Sequence, residues 1–276
     1  MQSFRMSSLF LLLLKLSLYD GDPLPDPIEY WSVVRALQYL TLTCLDISFE
    51  INQVCQFMHQ PTTTHWIAIK RILHYLKSTL AHGLFYQPGS LCLEAYSDAD
   101  YIENPDDHRS TGGYCIYLIY NPISWSAKKH HIVSHSSIEA EYHQLAYTTA
   151  KISWLWSLFK DLDVSLSTPP IWCDNISSIS LASNPVFHAC TKHLDVYYHY
   201  VCDKVVPKEI DISYICTTDQ EVDVSSKGFL LPASNYWQTS LWYALVPLAC
   251  GGVIIRRVMC PIQSQILPAK SPNILI

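Results

Sequence analysis

The sequence predicts an α/β protein: a mixed five-stranded sheet flanked by helices, preceded by a small helical segment. Three observations predict it. The hydrophobic period changes near Gly89, from a helical repeat before it to strand-like alternation after it. Downstream, the elements read β-β-β-α-β-α-α-β-α, and strands joined both by turns and by helical crossovers imply antiparallel and parallel pairs in one sheet. Hydrophobic residues make up 49% of the 276 positions and charged residues only 15%. That leaves ample material for a core and lacks the charge excess of a disordered chain.

The helical segment comes first. From Glu29 onward, Tyr30, Val33, Val34, Leu37 and Leu40 form one apolar stripe. Asp46 is placed to cap a second helix, with Ile47, Ile51, Val54 and Met58 on its apolar face. Pro61 and the threonines after it open a third, whose apolar side carries Trp66, Ile69, Leu73 and Leu76 and whose other side carries Lys70, Arg71 and Lys77.

Strands are expected over 91–97, 114–120 and 123–126, with Asn121-Pro122 as the turn between the last two. A long helix follows over 136–160. A short strand over 171–173 comes after Pro169-Pro170. Helices over 175–182 and 191–204, a fifth strand over 210–216 and a final short helix over 220–227 complete the plan. The expected organisation is an irregular leader over 1–26, the helical segment over 27–88, the sheet unit over 89–228 and an irregular tail over 229–276.

Composition excludes several classes. The net charge of −6 excludes a globally basic nucleic-acid binder, though not local basic patches around an acidic site. No apolar run reaches the roughly 20 residues that span a bilayer, so no membrane partner is expected. The ten cysteines contain no C-x-x-C pair and sit mostly in apolar runs, which suits buried thiols rather than a disulfide or zinc framework. The apolar stretch over 9–14 is interrupted by Lys15, with no small-residue cleavage site before the Asp- and Pro-rich stretch over 20–27, so secretion is not expected.

Four acids stand where strand ends and helices can bring them together: Asp98, Glu141, Asp174 and Asp223. Clustered carboxylates repel unless cations share the site. Their hard oxygen donors suit Mg²⁺ or Mn²⁺. Asp100 and Glu139 are close rivals in sequence, and the spacing alone leaves many other quartets open among 24 acids. Lys128, Lys129, His130 and His131 form a basic cluster that reads either as an exposed turn or as an approach to a phosphate backbone. Ser136 and Ser137 read most simply as helix caps, and His193 as a packed or surface histidine.

Several ordered blocks resemble the ribonuclease H domain at the end of copia-type LTR-retrotransposon polyproteins: YSDAD (96–100), DDHRSTGGYC (106–115), ISWSAKKHHIVSHSSIEAEY (123–142), WCDN (172–175), LASNPVFHACTKHLDV (181–196) and DQEVDVSSKG (219–228). The stretches over 20–27 and 46–77 resemble the end of the same polyprotein's reverse transcriptase, its thumb and connection. The resemblance implies a ribonuclease H-like sheet. It implies a site of Asp98, Glu141, Asp174 and Asp223 holding Mg²⁺, or Mn²⁺, and cleaving the RNA strand of an RNA–DNA hybrid. It further implies hydrogen bonds from Ser136 and Ser137 to the nucleic acid; Lys128 and Lys129 of the basic cluster are the candidate contacts to its backbone. Other parts of the polyprotein are implied partners, and the setting is intracellular, in a cytoplasmic particle or the nucleus. The reverse-transcriptase motif Tyr-x-Asp-Asp is absent, so DNA synthesis is not expected. Tyr101 stands where the family shows Trp, His135 where it shows Arg, and Ser225-Ser226 where it shows Leu-Thr. The alternative reading is an inert remnant that at most binds nucleic acid through Lys70, Arg71, Lys128 and Lys129.

Overall fold

The computed structural model describes residues 15–79, 84, 86–183 and 195–222. The helical segment contains α1 (Ile28–Leu40), a 3₁₀ turn (Leu45–Ile47), α2 (Ser48–Cys55) and α3 (Thr63–Ser78). The predicted stripes form its core: Tyr30, Val34 and Leu37 from α1, Ile51 and Val54 from α2, and Ala68, Ile69 and Ile72 from α3. Two polar tips in this core find carbonyls. The Tyr30 hydroxyl donates to Val54 O at 2.6 Å and the Trp31 indole N–H to Met58 O at 2.7 Å. α3 begins with a capping box, in which the Thr62 side chain accepts from the His65 backbone and the His65 ring returns a bond to the Thr62 N–H.

Asp46 does not cap α2 as its spacing predicts. It lies in the 3₁₀ turn and accepts the Tyr75 hydroxyl of α3, while Ile47 occupies the N-cap position without a side-chain bond. A tertiary partner has outcompeted the local one.

Glu50 in α2 is 5% exposed, and burial, reinforced by Asp46, pushes its carboxyl up to about 8. Between its ordinary 4.5 and about 8, the folded protein holds a proton that the unfolded chain releases. Stability therefore declines as pH rises through this window. Urea midpoints at pH 5 and pH 8 are expected to show wild type losing stability relative to Glu50→Gln at the higher pH. A constant difference between the two proteins would count against a buried, protonated Glu50.

The sheet has the order β3-β2-β1-β4-β5. Its strands are β1 (Leu93–Asp100), β2 (Thr111–Leu118), β3 (Asn121–Lys129), β4 (Pro170–Cys173) and β5 (Asp211–Tyr214). β1 is antiparallel to β2 and parallel to β4, β2 is antiparallel to β3, and β4 is parallel to β5. This is the mixed five-stranded sheet expected of a ribonuclease H-like fold, with its first strand central. Its helices are α4 (Ser137–Asp161), α5 (Ile176–Ser183) and α6 (Asp195–Val205).

The β2–β3 turn differs from expectation. Asn121 and Pro122 are the first residues of β3, and the turn is Ile119-Tyr120, closed by the Leu118–Asn121 pair. Ile119 has φ of 66°, an uncommon conformation for a β-branched residue. Long-range contacts hold it: its N–H bonds Cys92 O at 2.7 Å, and the Asn121 amide bonds Gln87 O and Leu118 O. Gln220, Glu221 and Val222 lie outside any regular helix, and the rest of the predicted final helix, 223–227, lies outside the described residues.

α4 packs its inner face on the sheet through Tyr142, Leu145, Ala146 and Ile152, against Leu93, Ala95, Ile116 and Ile171. α6 adds Tyr198 and Val201 to this core. The opposite face of the sheet carries a smaller cluster of Tyr96, Cys115, Tyr117 and Val222, with Leu45 and Trp125 packed against it. There the Trp125 indole donates to Thr41 O at 2.7 Å, tying the helical segment to β3.

Candidate active site

The sheet topology makes the site. β1 and β4 are parallel neighbours, with Tyr96 opposite Trp172. Asp98 and Asp174 each lie two residues beyond that pair, so they leave the same end of adjacent strands in step. Parallel neighbours stand about 4.8 Å apart. The carboxyl ends of parallel strands are also where open α/β sheets bind ligands. α4 supplies the third acid. The Thr148 hydroxyl donates to Ser97 Oγ at 3.0 Å, which locks the helix over β1. Glu141 lies seven residues earlier, about two turns, and so returns to nearly the same face of α4.

The result is a group built around the end of β4. Glu141, Cys173 and Asp174 bring ligand atoms within 4.8 Å of one another. Asp98, 1% exposed, acts on the same Cys173 thiol together with Glu141 and Asp174. Burial raises that thiol well above its ordinary value, and the three carboxylates reinforce the effect. The carboxylate oxygens in this group are hard donors of the kind that fit a hard divalent cation. Asp174 accepts the Thr217 hydroxyl at 3.0 Å, which orients its outer oxygen.

The structure thus brings Glu141 and Asp174 together at Cys173, with Asp98 near enough to act on the same thiol. Asp223 lies outside the described residues. Shortly before it, the Gln220 amide donates to Ser97 O at 3.0 Å, so the chain runs beside β1 next to Asp98. The rival Glu139 is occupied at the start of α4: it accepts the His135 N–H at 2.7 Å and faces His143 Nε2 at 3.6 Å. Asp100, at the end of β1, acts on Glu103, whose carboxyl burial pushes up to about 7. Ser136 is the N-cap of α4 and accepts the Glu139 N–H at 3.2 Å; Ser137 is exposed beside it. His193 lies outside the described residues.

Lys128 and Lys129 take opposite sides of β3. Lys129 is held on the face toward the helical segment, 2.7 Å from Asp107 Oδ2 and 3.1 Å from Gln56 Oε1. Lys128 is exposed on the α4 side, opposite Gly112. Alternation along a strand separates neighbours in this way, but the predicted β3 ended at 126, before this pair. Sequence reasoning also missed Cys173 at the centre of the acids; its only local signal is its place just before Asp174.

No family model matches the chain. The Retrovirus-related Pol polyprotein from transposon RE2 of Arabidopsis thaliana is 43% identical over 242 residues, which is 87% of this chain and 17% of that protein. The corresponding polyprotein from transposon TNT 1-94 of Nicotiana tabacum is 32% identical over 201 residues, 72% of this chain and 15% of that protein. The chain therefore spans about a sixth of these curated relatives. Among solved structures, LC11-RNase H1 in complex with RNA/DNA hybrid aligns at 12% identity with a TM-score of 0.34, over 47% of this chain and 88% of that one. By its sustained identity to those polyproteins over most of its length, the chain belongs to the retrovirus-related Pol polyproteins of transposons, with a ribonuclease H-like mixed sheet in its five-stranded unit.

Proposed function

We propose that the five-stranded unit is an endonuclease that cuts the RNA strand of RNA–DNA hybrids with two divalent cations, Mg²⁺ or Mn²⁺. The observation that carries this reading is the in-step exit of Asp98 and Asp174 from adjacent parallel strands, with Glu141 laid over them. Asp98 and Asp174 are the main cation ligands, and Glu141 and Asp223 complete the set. When bound, the cations supply Lewis-acid activation of a water and stabilisation of the leaving oxygen.

The chain's own residues hold and orient. The buried Asp98 is fixed by the central strand, and Thr217 steers Asp174. Ser136 already accepts a bond from Glu139, so its hydroxyl proton remains to donate to a phosphate or ribose oxygen. It does so at the start of a 25-residue helix, where the backbone dipole favours an anion. The exposed Ser137 serves the same strand, and 2′-hydroxyl contacts of this kind distinguish RNA from DNA. Lys128, and Lys129 after breaking its pair with Asp107, add backbone contacts. In this reading the unit works inside the cell, in a particle or the nucleus, alongside other parts of the polyprotein.

The test is cleavage of an end-labelled hybrid by the purified chain. Cutting is expected with Mg²⁺ or Mn²⁺ and none with excess EDTA. Salt-sensitive binding of hybrid without cutting in either cation would instead identify an inert remnant.

A further inference from the structure

A second concavity lies apart from the carboxylates. It has a volume of about 560 Å³ and sits over the β2–β3 edge of the sheet beside α4, and none of the three clustered acids lines it. Its floor is the paired stretch of β2 and β3 that carries Gly112 and Lys128. Its wall is one stripe of α4, with Tyr147, Lys151 and Trp154 at helical spacing. Tyr147 is 44% exposed and Trp154 55%, although this helix carries the domain's core on another face. The Lys151 ammonium rests 4.3 Å from the Trp154 ring centre, which holds both at the rim.

His130 closes the inner end. It is 7% exposed, and the Gln144 side chain stands beside its ring as a hydrogen-bond partner. Burial holds its pKa down at about 4, with Gln144 pulling the other way, so at neutral pH the ring offers one donor and one acceptor. Gly112 makes the space. A Cβ there would lie 2.1 Å from Gln144 Oε1 and 2.5 Å from His130 Nε2.

Each feature selects part of a ligand. Lysines without a carboxylate in the lining select an anion. Half-exposed aromatic rings on one wall select a flat ring. A neutral buried imidazole beside an amide selects a polar base edge. The volume falls within the roughly 300–1,000 Å³ range of small-ligand sites. We propose that this pocket takes one nucleotide of a single-stranded nucleic acid, with phosphate on Lys151, base against Tyr147 and Trp154, and base edge on His130. Stacking of bases on aromatic side chains above a basic track is the usual physics of single-strand binding. The single strand is thus held on the β2–β3 side of α4, separately from the hybrid assigned to the carboxylate end.

The test uses the full chain and fluorescein-labelled ten-nucleotide oligo-dT and oligo-U, read by anisotropy in EDTA, where no cleavage intervenes. Trp154→Ala and Lys151→Gln are each expected to weaken one or both oligonucleotides about ten-fold, with Trp154→Phe restoring the loss. The oligonucleotide more affected identifies the strand type. Binding of a blunt RNA–DNA hybrid should change less than about two-fold. Unchanged oligonucleotide affinity in both variants overturns the proposal, as does an equal loss on hybrid, which would mean a general basic surface. Because cations and cutting are excluded, loss of the nuclease reading leaves this result intact.

Discussion

Asp98→Asn is expected to remove hybrid cleavage while leaving the protein as stable as wild type or more so. Asp98 is 1% exposed and stands with Glu141 and Asp174 around one buried thiol. Asparagine keeps the size and one oxygen but removes the charge. Loss of groups that merely orient metal ligands costs about 10–100-fold in metal affinity or activity. A direct ligand should cost at least the upper end of that range, so residual cutting of no more than about 1% is expected. Without cations the substitution relieves repulsion among neighbouring carboxylates. The melting midpoint in EDTA should therefore not fall. Added Mg²⁺ should raise the midpoint of wild type, since a ligand that binds only the folded state stabilises it. It should raise that of Asp98→Asn much less. Full activity in the variant would remove Asp98 from the site. A lower midpoint in EDTA would make it a structural residue.

The second large effect lies in the core between α4 and the sheet. Leu145→Ala should destabilise the five-stranded unit by about 2–5 kcal/mol, the range for truncating a buried leucine. Leu145 is fully buried beside Tyr142 and Ala146. The surrounding walls are strand backbone and the aromatic pair Tyr142–Tyr198, with ring centres 6.2 Å apart. Such walls collapse poorly into a cavity, which favours the upper half of the range. Urea unfolding should show a lower midpoint with an unchanged slope. Glu141 lies one turn away on the same helix, so cutting should fall as well, and stabilising conditions should recover it. A loss under about 1 kcal/mol would mean that the α4–sheet contact is looser than its burial implies.

Much of this architecture was legible in the sequence because its signals are local. The α1 stripe of Tyr30, Val34 and Leu37 and the alternation of β1 need only neighbours a few residues apart. The order of strands and helices, with crossovers before β4 and β5, already required a mixed sheet. The positions of Asp98 and Asp174 at strand ends followed from the same patterns, and the block resemblance distinguished Glu141 from Glu139. Other features depend on residues far apart in the chain. Asp46 abandoned its cap for Tyr75, and the β2–β3 turn settled on Ile119 because Cys92 and Gln87 hold it from outside the hairpin. Lys129 was taken up by Asp107 and Gln56, while Lys128 stayed exposed. The pocket around His130 exists only because Gly112 lacks a side chain where two distant polar groups converge. The sequence by itself determined which elements form and which acids stand at their ends, since hydrophobic period and turn chemistry act over a few residues. Only the tertiary structure decided how three acids act on one thiol, which lysine stays exposed and where His130 and Gln144 meet beside Gly112, because those outcomes are competitions for partners that the fold alone brings within reach.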